Sequence, residues 1–323
     1  MRAIQMQQPG GPEVMELVEI NLAAPGAGEI RVRHTAIGLN YIDTYHRSGL
    51  YPLPLPSGIG LEAAGVVEEC GAGVQGISVG DRVAYGTGPL GAYAEARNVP
   101  ASRVVKLPDT ITDETAAAMM LKGMTARYLL RETYEVQAGD TILWHAAAGG
   151  VGLIACQWAK ALGATVIGTV SSDEKAALAK ANGCDHIIMY THEDVAERVR
   201  EITGGAGVPV VYDGVGAATV EASLNSLRPR GLLASFGNAS GPVKDFDLGA
   251  LSAKGSLYVT RPTLMTYTAS DEDLAANTAD LVEMVGSGKV KIPVNQHYAL
   301  ADVQQAHHDL ESRKTTGSTI IVP

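Results

Sequence analysis

Hydrophobic positions along the chain follow two different patterns. From residue 141 onward, strand-like apolar runs recur at 141–145, 165–170, 186–190, 209–213, 231–236 and 256–260. Between the first two, Val151, Ile154, Ala155, Trp158, Ala159 and Leu162 recur at helical spacing and predict one apolar helix face. Further helices are predicted from near Ser172, Thr191 and Ala217. Six strands joined by such crossovers predict a doubly wound parallel sheet, with its ligand crevice at the carboxyl ends of the strands.

The preceding part reads differently. Short β-like runs at 30–37, 63–67, 82–85, 92–96 and 103–106 are separated by Gly and Pro turns such as Gly10-Gly11-Pro12, Pro25-Gly26 and the segment 52–60. That spacing predicts an all-β, barrel-like unit. A helix is predicted over 113–131, leading through Lys122-Gly123 into the parallel-sheet region. After Thr260-Arg261-Pro262 the pattern changes again, to helices over 271–285 and 300–313 and a closing strand at 318–322. The expected organisation is a β-rich domain of 1–124 and 263–323, interrupted by an α/β domain of 125–262. No internal repeat or low-complexity tract is seen.

The first strand and helix of the α/β region are joined by Ala147-x-Gly149-x-x-Gly152, a dinucleotide-type glycine pattern whose first Gly is Ala. Strand, glycine turn, helix is the context in which that pattern carries meaning. Gly149 allows backbone to approach a pyrophosphate, Gly152 allows close helix packing, and the amides opening the helix receive the anion. An ordinary glycine-rich turn is the alternative; the five further strand-like runs favour a Rossmann domain.

Composition narrows the classes. The 323 residues suffice for two domains, and 46% hydrophobic with 19% charged residues describes an ordinary globular protein. A net charge of −10 argues against nucleic acid or an anionic membrane as the main partner. No apolar run approaches the roughly 20 residues of a membrane span. The N-terminus lacks a signal-peptide apolar core, and Cys70, Cys156 and Cys184 are scattered singly. Both features suit a reducing cytoplasm.

Motifs in order along nearly the whole chain make a resemblance specific: GGPEVMEL (10–17), GLNYIDTYHRSGLYP (38–52), GIGLEAAGVV (58–67), VGDRVAY (79–85), LKGMTA (121–126), HAAAGGVGLIACQWAKALGA (145–164), VYDGVG (211–216), SFGNASG (235–241), KGSLYVTRP (254–262) and ESRKTTGSTII (311–321). The chain resembles the medium-chain dehydrogenases/reductases, and among them the zinc-free NADPH:quinone oxidoreductases of the ζ-crystallin type. The resemblance implies a GroES-like β-rich catalytic domain plus a Rossmann domain.

Zinc-dependent members use a Cys, a His-Glu pair and a second Cys for catalytic zinc, and four closely spaced cysteines for structural zinc. Here Asp43 stands where the first Cys is expected, Leu61 precedes Glu62 where the His is expected, and 85–106 holds no cysteine cluster. No metal site is expected from such residues. Lone histidines such as His34, His46 and His145 are more often satisfied polar groups than ligands. Without a Lewis acid, a hydride acceptor must already be electron-poor, which quinones and conjugated enones are.

An NAD site usually places an acid about 20 residues beyond the glycines. Here Val170-Ser171-Ser172 precedes Asp173-Glu174-Lys175. Ser171, Ser172 and Lys175, with Tyr190 nearby, can receive a 2′-phosphate, and matching family positions bind that of NADPH. A capping box, Ser171-x-x-Glu174, is the structural alternative, and the two are compatible. The resemblance further implies nicotinamide-side residues Asn40 and Tyr45, on a loop, with Thr125 opposite, and Tyr45 the candidate proton donor. It implies a pyrophosphate turn of Ala147, Ala148, Gly149, Gly150, Val151 and Gly152. Gly214 and Val215, then Phe236, Gly237 and Asn238, are implied at the crevice edge, and Arg313 at the adenine-side phosphate. Lys122 is left between a cofactor contact and a structural ion pair.

A β-rich apolar edge near Leu257-Tyr258-Val259 is a liability unless paired, and the resemblance implies a homodimer across it. Three functions stand: NADPH-dependent quinone reduction, NADPH-dependent reduction of enone or alkenal double bonds, and a non-catalytic nucleotide- or RNA-binding relative, which net acidity and the intact glycines disfavour.

Overall fold

The computed structural model describes all residues 1–323. Contacts divide the chain into two compact units, Met1–Met124 with Thr268–Gly286 and Ile292–Pro323, and Thr125–Tyr267 with Ser287–Lys291.

In the second unit the six strands are His186–Met189, Thr165–Val170, Thr141–Trp144, Val208–Asp213, Leu227–Ser235 and Tyr258–Thr260 in spatial order, every neighbouring pair parallel. Numbered along the chain, that order is 3-2-1-4-5-6, which reverses direction between Thr141–Trp144 and Val208–Asp213. Leu143, Ile167, Ile188, Val208, Val211 and Leu233 from the strands meet Val195, Val199 and Leu224 from the helices in one buried core. The helices are Gly150–Ala161, Asp173–Ala181, Val195–Ile202 and Val220–Ser226. A short helix, Gly249–Ala253, was not anticipated. The last strand begins at Tyr258 rather than 256, because Leu257 turns inward and is buried while Tyr258 and Val259 lie on the open edge at 61% and 40% exposure.

In the first unit Glu29–Leu39 is the central strand of a seven-stranded sheet. It pairs antiparallel with Glu62–Cys70, Ala96–Pro100 and Ser318–Val322. Arg82–Tyr85, Val105–Lys106 and Val294–Ala299 complete the sheet. A smaller sheet joins Glu16–Glu19, Arg2–Met6 and Ser57–Gly58. The strand expected at 92–96 is not formed. Ala92 and Tyr93 instead hydrogen-bond back to Gly60 and Ile59, only Ala94 bridges Ala3, and the true strand starts at Ala96. The strands Arg2–Met6, Glu16–Glu19 and Val294–Ala299 were also missed. The helix expected over 300–313 opens as a 3₁₀ turn, continues as Val303–Glu311 and stops before Arg313, whose φ of 61° is left-handed.

Candidate functional site

Asn40 and Tyr45 were expected on a loop. They lie instead at the cap and within the helix Tyr41–Ser48, which follows directly from the central strand. The helix has a reciprocal capping box between Asn40 and Asp43, with the Asn40 backbone N–H donating to Asp43 Oδ2 at 2.9 Å. Tyr45 is buried, its ring 5.6 Å from Tyr41 and 5.3 Å from Tyr51.

The Asn40 side chain donates to Glu62 Oε2 at 2.8 Å. Glu62, fully buried, also receives the Leu121 N–H at 2.8 Å and the Lys122 ammonium at 3.0 Å. Lys122 therefore resolves to the ion-pair alternative. Two buried charges survive only if their remaining hydrogen-bonding capacity is met, and Glu62 has donors on both oxygens. Gly38 makes room for them, since a Cβ there would stand 2.2 Å from Glu62 Oε2. Within 40–43, Asn40 is thus the residue whose side chain meets Glu62, while Asp43 turns to Tyr93.

That second cluster had no signal in the sequence. Tyr93 Oη lies 2.7 Å from Asp43 Oδ2 and 3.1 Å from His307 Nε2; His307 Nδ1 lies 3.1 Å from Arg47, which forks onto both Glu311 oxygens at 2.8 Å. Burial pushes the Asp43 carboxyl up to about 7, against the pull of Tyr93, the Asn40 N–H and Lys122. Burial and then Arg47 hold His307 down to about 3. Arg313 lies on the same unit, within electrostatic reach of Tyr41.

On the other unit, Ala146 opens the glycine turn in left-handed conformation at φ 54°, its carbonyl accepting from Gly149 N at 3.0 Å. Gly149 caps the helix Gly150–Ala161 and no side chain caps it. A Cβ on Gly152 would lie 2.6 Å from Ala146 O and 2.7 Å from Ala147 O, so only glycine lets the helix start this close. Ala147 replaces the pattern's first glycine because Gly168 on the neighbouring strand leaves space: a Cβ at 168 would lie 2.7 Å from the Ala147 methyl. Ala148 and Val151 complete the turn.

The helix beyond the second strand is capped one residue later than the expected Ser171-x-x-Glu174 box. Ser172 is the cap, its hydroxyl accepting from Lys175 N at 3.4 Å. Tyr190 N–H donates to Val170 O at 3.2 Å, so the exposed Tyr190 follows its strand at the same end as Ser171 and Ser172 follow theirs. At the fourth and fifth strand ends, Asp213 Oδ1 accepts from Val215 N at 2.8 Å, and Gly214 packs on the Phe236 ring. A Cβ on Gly237 would sit 2.3 Å from Gly214 O, and Asn238 O accepts from Gly241 N. Trp144 stacks on Tyr212 at 4.7 Å and touches Phe236 beneath these turns. Thr125 is buried near the C-terminal end of the helix Asp113–Tyr128. No three His, Cys, Asp or Glu side chains converge as a metal site, and no helix is long and apolar enough to cross a membrane.

The chain matches the alcohol dehydrogenase GroES-like domain over residues 26–109 and the zinc-binding dehydrogenase domain over 150–282. It is 58% identical to a quinone oxidoreductase of Pseudomonas aeruginosa, covering 100% of this chain and 99% of that one. The chain belongs to the quinone oxidoreductases of the medium-chain dehydrogenase/reductase family. A crystal structure of the Escherichia coli quinone oxidoreductase complexed with NADPH superposes with a TM-score of 0.99 at 52% identity, covering 100% of both chains. A 2-haloacrylate reductase of Burkholderia is 45% identical over 99% of this chain and 98% of its own.

Proposed function

We infer that the protein reduces quinones with NADPH. The observation that carries this is the 147–152 glycine turn at the reversal point of a 3-2-1-4-5-6 sheet, in a chain 52% identical to a relative solved with NADPH. The turn suits a pyrophosphate: a Cβ on Gly149 would meet only Ala146 O, at 3.2 Å, and would otherwise project into open space. We assign the pyrophosphate to Ala147, Ala148, Gly149, Gly150, Val151 and Gly152, and the 2′-phosphate to Ser171, Ser172, Lys175 and Tyr190. Gly214, Val215, Phe236, Gly237 and Asn238 are assigned to the cofactor at the crevice edge, and Arg313 to its adenine-side phosphate. The nucleotide-binding domain is taken as 125–262 and the substrate-binding domain as the remainder.

NADPH, when bound, supplies the hydride. The protein's residues orient and exclude water. Asn40, held by Glu62, presents its amide in one orientation, and Tyr45 supplies a hydroxyl for proton delivery on a rigid helix. Thr125 is assigned to the same task. A quinone becomes aromatic on reduction, so it needs little further activation. The 45% identical 2-haloacrylate reductase supports conjugated double bonds as a second substrate class. The exposed Tyr258–Thr260 edge supports a homodimer, and three free cysteines support a cytoplasmic protein.

The test is NADPH oxidation by purified protein with benzoquinones, naphthoquinones and alkenals. Turnover highest with quinones is expected. Turnover with alkenals alone moves the assignment to a double-bond reductase, and none with any acceptor overturns it.

A further inference from the structure

Four fully buried polar side chains stand where the second unit's strands end, and none is assigned above. Thr169 belongs to the second strand in chain order, His145 follows the first, Asp213 ends the fourth, and Ser223 lies on the helix Val220–Ser226. Ala146 N–H donates to Thr169 Oγ1 at 3.3 Å, Thr169 Oγ1 lies 3.1 Å from His145 Nδ1, His145 Nε2 lies 3.0 Å from Ser223 Oγ, and Ser223 Oγ donates to Asp213 Oδ2 at 2.8 Å. The other Asp213 oxygen accepts from Val215 N at 2.8 Å and Gly216 N at 3.0 Å, and the Thr219 hydroxyl reaches both oxygens.

The hydrogens in this run have one consistent direction. Ser223 gives its proton to the carboxylate, so its oxygen accepts from His145 Nε2–H. A neutral imidazole then has a bare Nδ1, which accepts from the Thr169 hydroxyl, whose oxygen takes the Ala146 N–H. Burial favours that neutral ring, lowering the His145 pKa while Asp213 raises it.

Such a chain adds little to net stability, since apolar residues of equal shape would pack as well. What a fully satisfied buried network adds is a single geometry. Its two ends hold backbone: the left-handed Ala146 at one end, and the 214–216 turn at the other.

We propose that Thr169, His145, Ser223 and Asp213 are positioning residues that lock the 146–152 turn and the 214–216 turn to one another, so that NADPH meets both in register. The proposal rests on the assignment of those turns to NADPH, and extends it to residues that touch no ligand.

Thr169→Val keeps the shape and deletes the hydroxyl; Thr169→Ser keeps the hydroxyl; Ser223→Ala cuts the run between His145 and Asp213. NADPH affinity is measured by titration, and amide hydrogen exchange is followed in nucleotide-free protein. Thr169→Val is expected to raise the NADPH Kd about tenfold and to speed exchange at Val215 and Gly216, while Thr169→Ser stays within about twofold of wild type. Thr169→Val and Ser223→Ala are expected to be non-additive in Kd. If Thr169→Val does not fold, Ser223→Ala decides alone: faster exchange at Gly149 with weaker NADPH binding supports the coupling. Unchanged exchange across the run, or NADPH affinity equal to wild type in folded Thr169→Val or Ser223→Ala, overturns it. Failure of the wild type to bind NADPH would refute the functional assignment instead.

Discussion

The Tyr93 hydroxyl lies 2.7 Å from Asp43 Oδ2, inside a core where Asp43 Oδ1 has no partner at all. Arg47 can only donate, so His307 Nδ1 accepts, Nε2–H donates to Tyr93, and Tyr93 donates to Asp43. Burial, with Oδ1 left unpartnered, is why its ionised form is costly.

Stability should therefore depend on pH in a residue-specific way. The Asp43 pKa rises from 3.8 in the unfolded chain to about 7 in the fold. Its contribution is fully present below 3.8 and is lost as pH rises through about 7. His307, lowered from 6.5 to about 3, runs the other way: its contribution is present above 6.5 and lost as pH falls towards 3. The two oppose each other in mid-range, so a single melting curve hides both. Asp43→Asn isolates one. Its stability relative to wild type should improve by up to about 1.4 kcal/mol per pH unit on going from pH about 4 to about 7, then level off. Denaturant unfolding at several pH values checks this, and a flat difference would show that Asp43 ionises normally.

Glu62 and Lys122 form a buried pair at 3.0 Å, with Asn40 on the same oxygen. Removing either charge alone, as in Lys122→Met or Glu62→Gln, should destabilise by about 3–5 kcal/mol, and the double variant by clearly less than the sum. Urea unfolding of the four proteins measures the coupling. Glu62→Gln should also loosen Asn40 and lower kcat more than it raises the KM for NADPH.

Gly152 and Gly149 should fail differently when changed to Ala. At 152 the new methyl meets Ala146 O at 2.6 Å, so backbone must shift, at a cost of about 1–3 kcal/mol. At 149 the nearest atom, Ala146 O, is 3.2 Å away, so a shift of a few tenths of an ångström admits the methyl while the ligand's space is taken. Gly149→Ala should melt within a few degrees of wild type yet bind NADPH at least about tenfold more weakly. Calorimetry paired with titration separates the two effects.

How far the sequence could be read follows from the range of the interactions. Thr165–Val170 and Ser318–Val322 were legible to the residue because local β-propensity and burial agree there. The helix Tyr41–Ser48 was read as loop: two turns of Tyr, Thr, His and Asp have little intrinsic helicity, and its Asn40–Asp43 capping box was the overlooked cue. An Asp closing the wholly buried strand Val208–Asp213 was another such cue. Clusters such as Arg47–His307 or His145–Ser223 join residues 260 and 78 positions apart, which no local pattern encodes.

Tyr45 sits on that overlooked helix with its ring packed between Tyr41 and Tyr51, so losing its hydroxyl alone should leave the fold intact. A reduced quinone is a stable anion that water can protonate, so Tyr45→Phe should lower kcat with a quinone by less than about tenfold. An enone leaves a far more basic carbon, for which a positioned acid matters more. The same variant should lose about 10²–10⁴-fold with an alkenal, the usual worth of general-acid catalysis. Steady-state rates on both substrate classes, at saturating NADPH, make the comparison internal to one variant. Equal losses on both would mean that the hydroxyl positions the acceptor and delivers no proton.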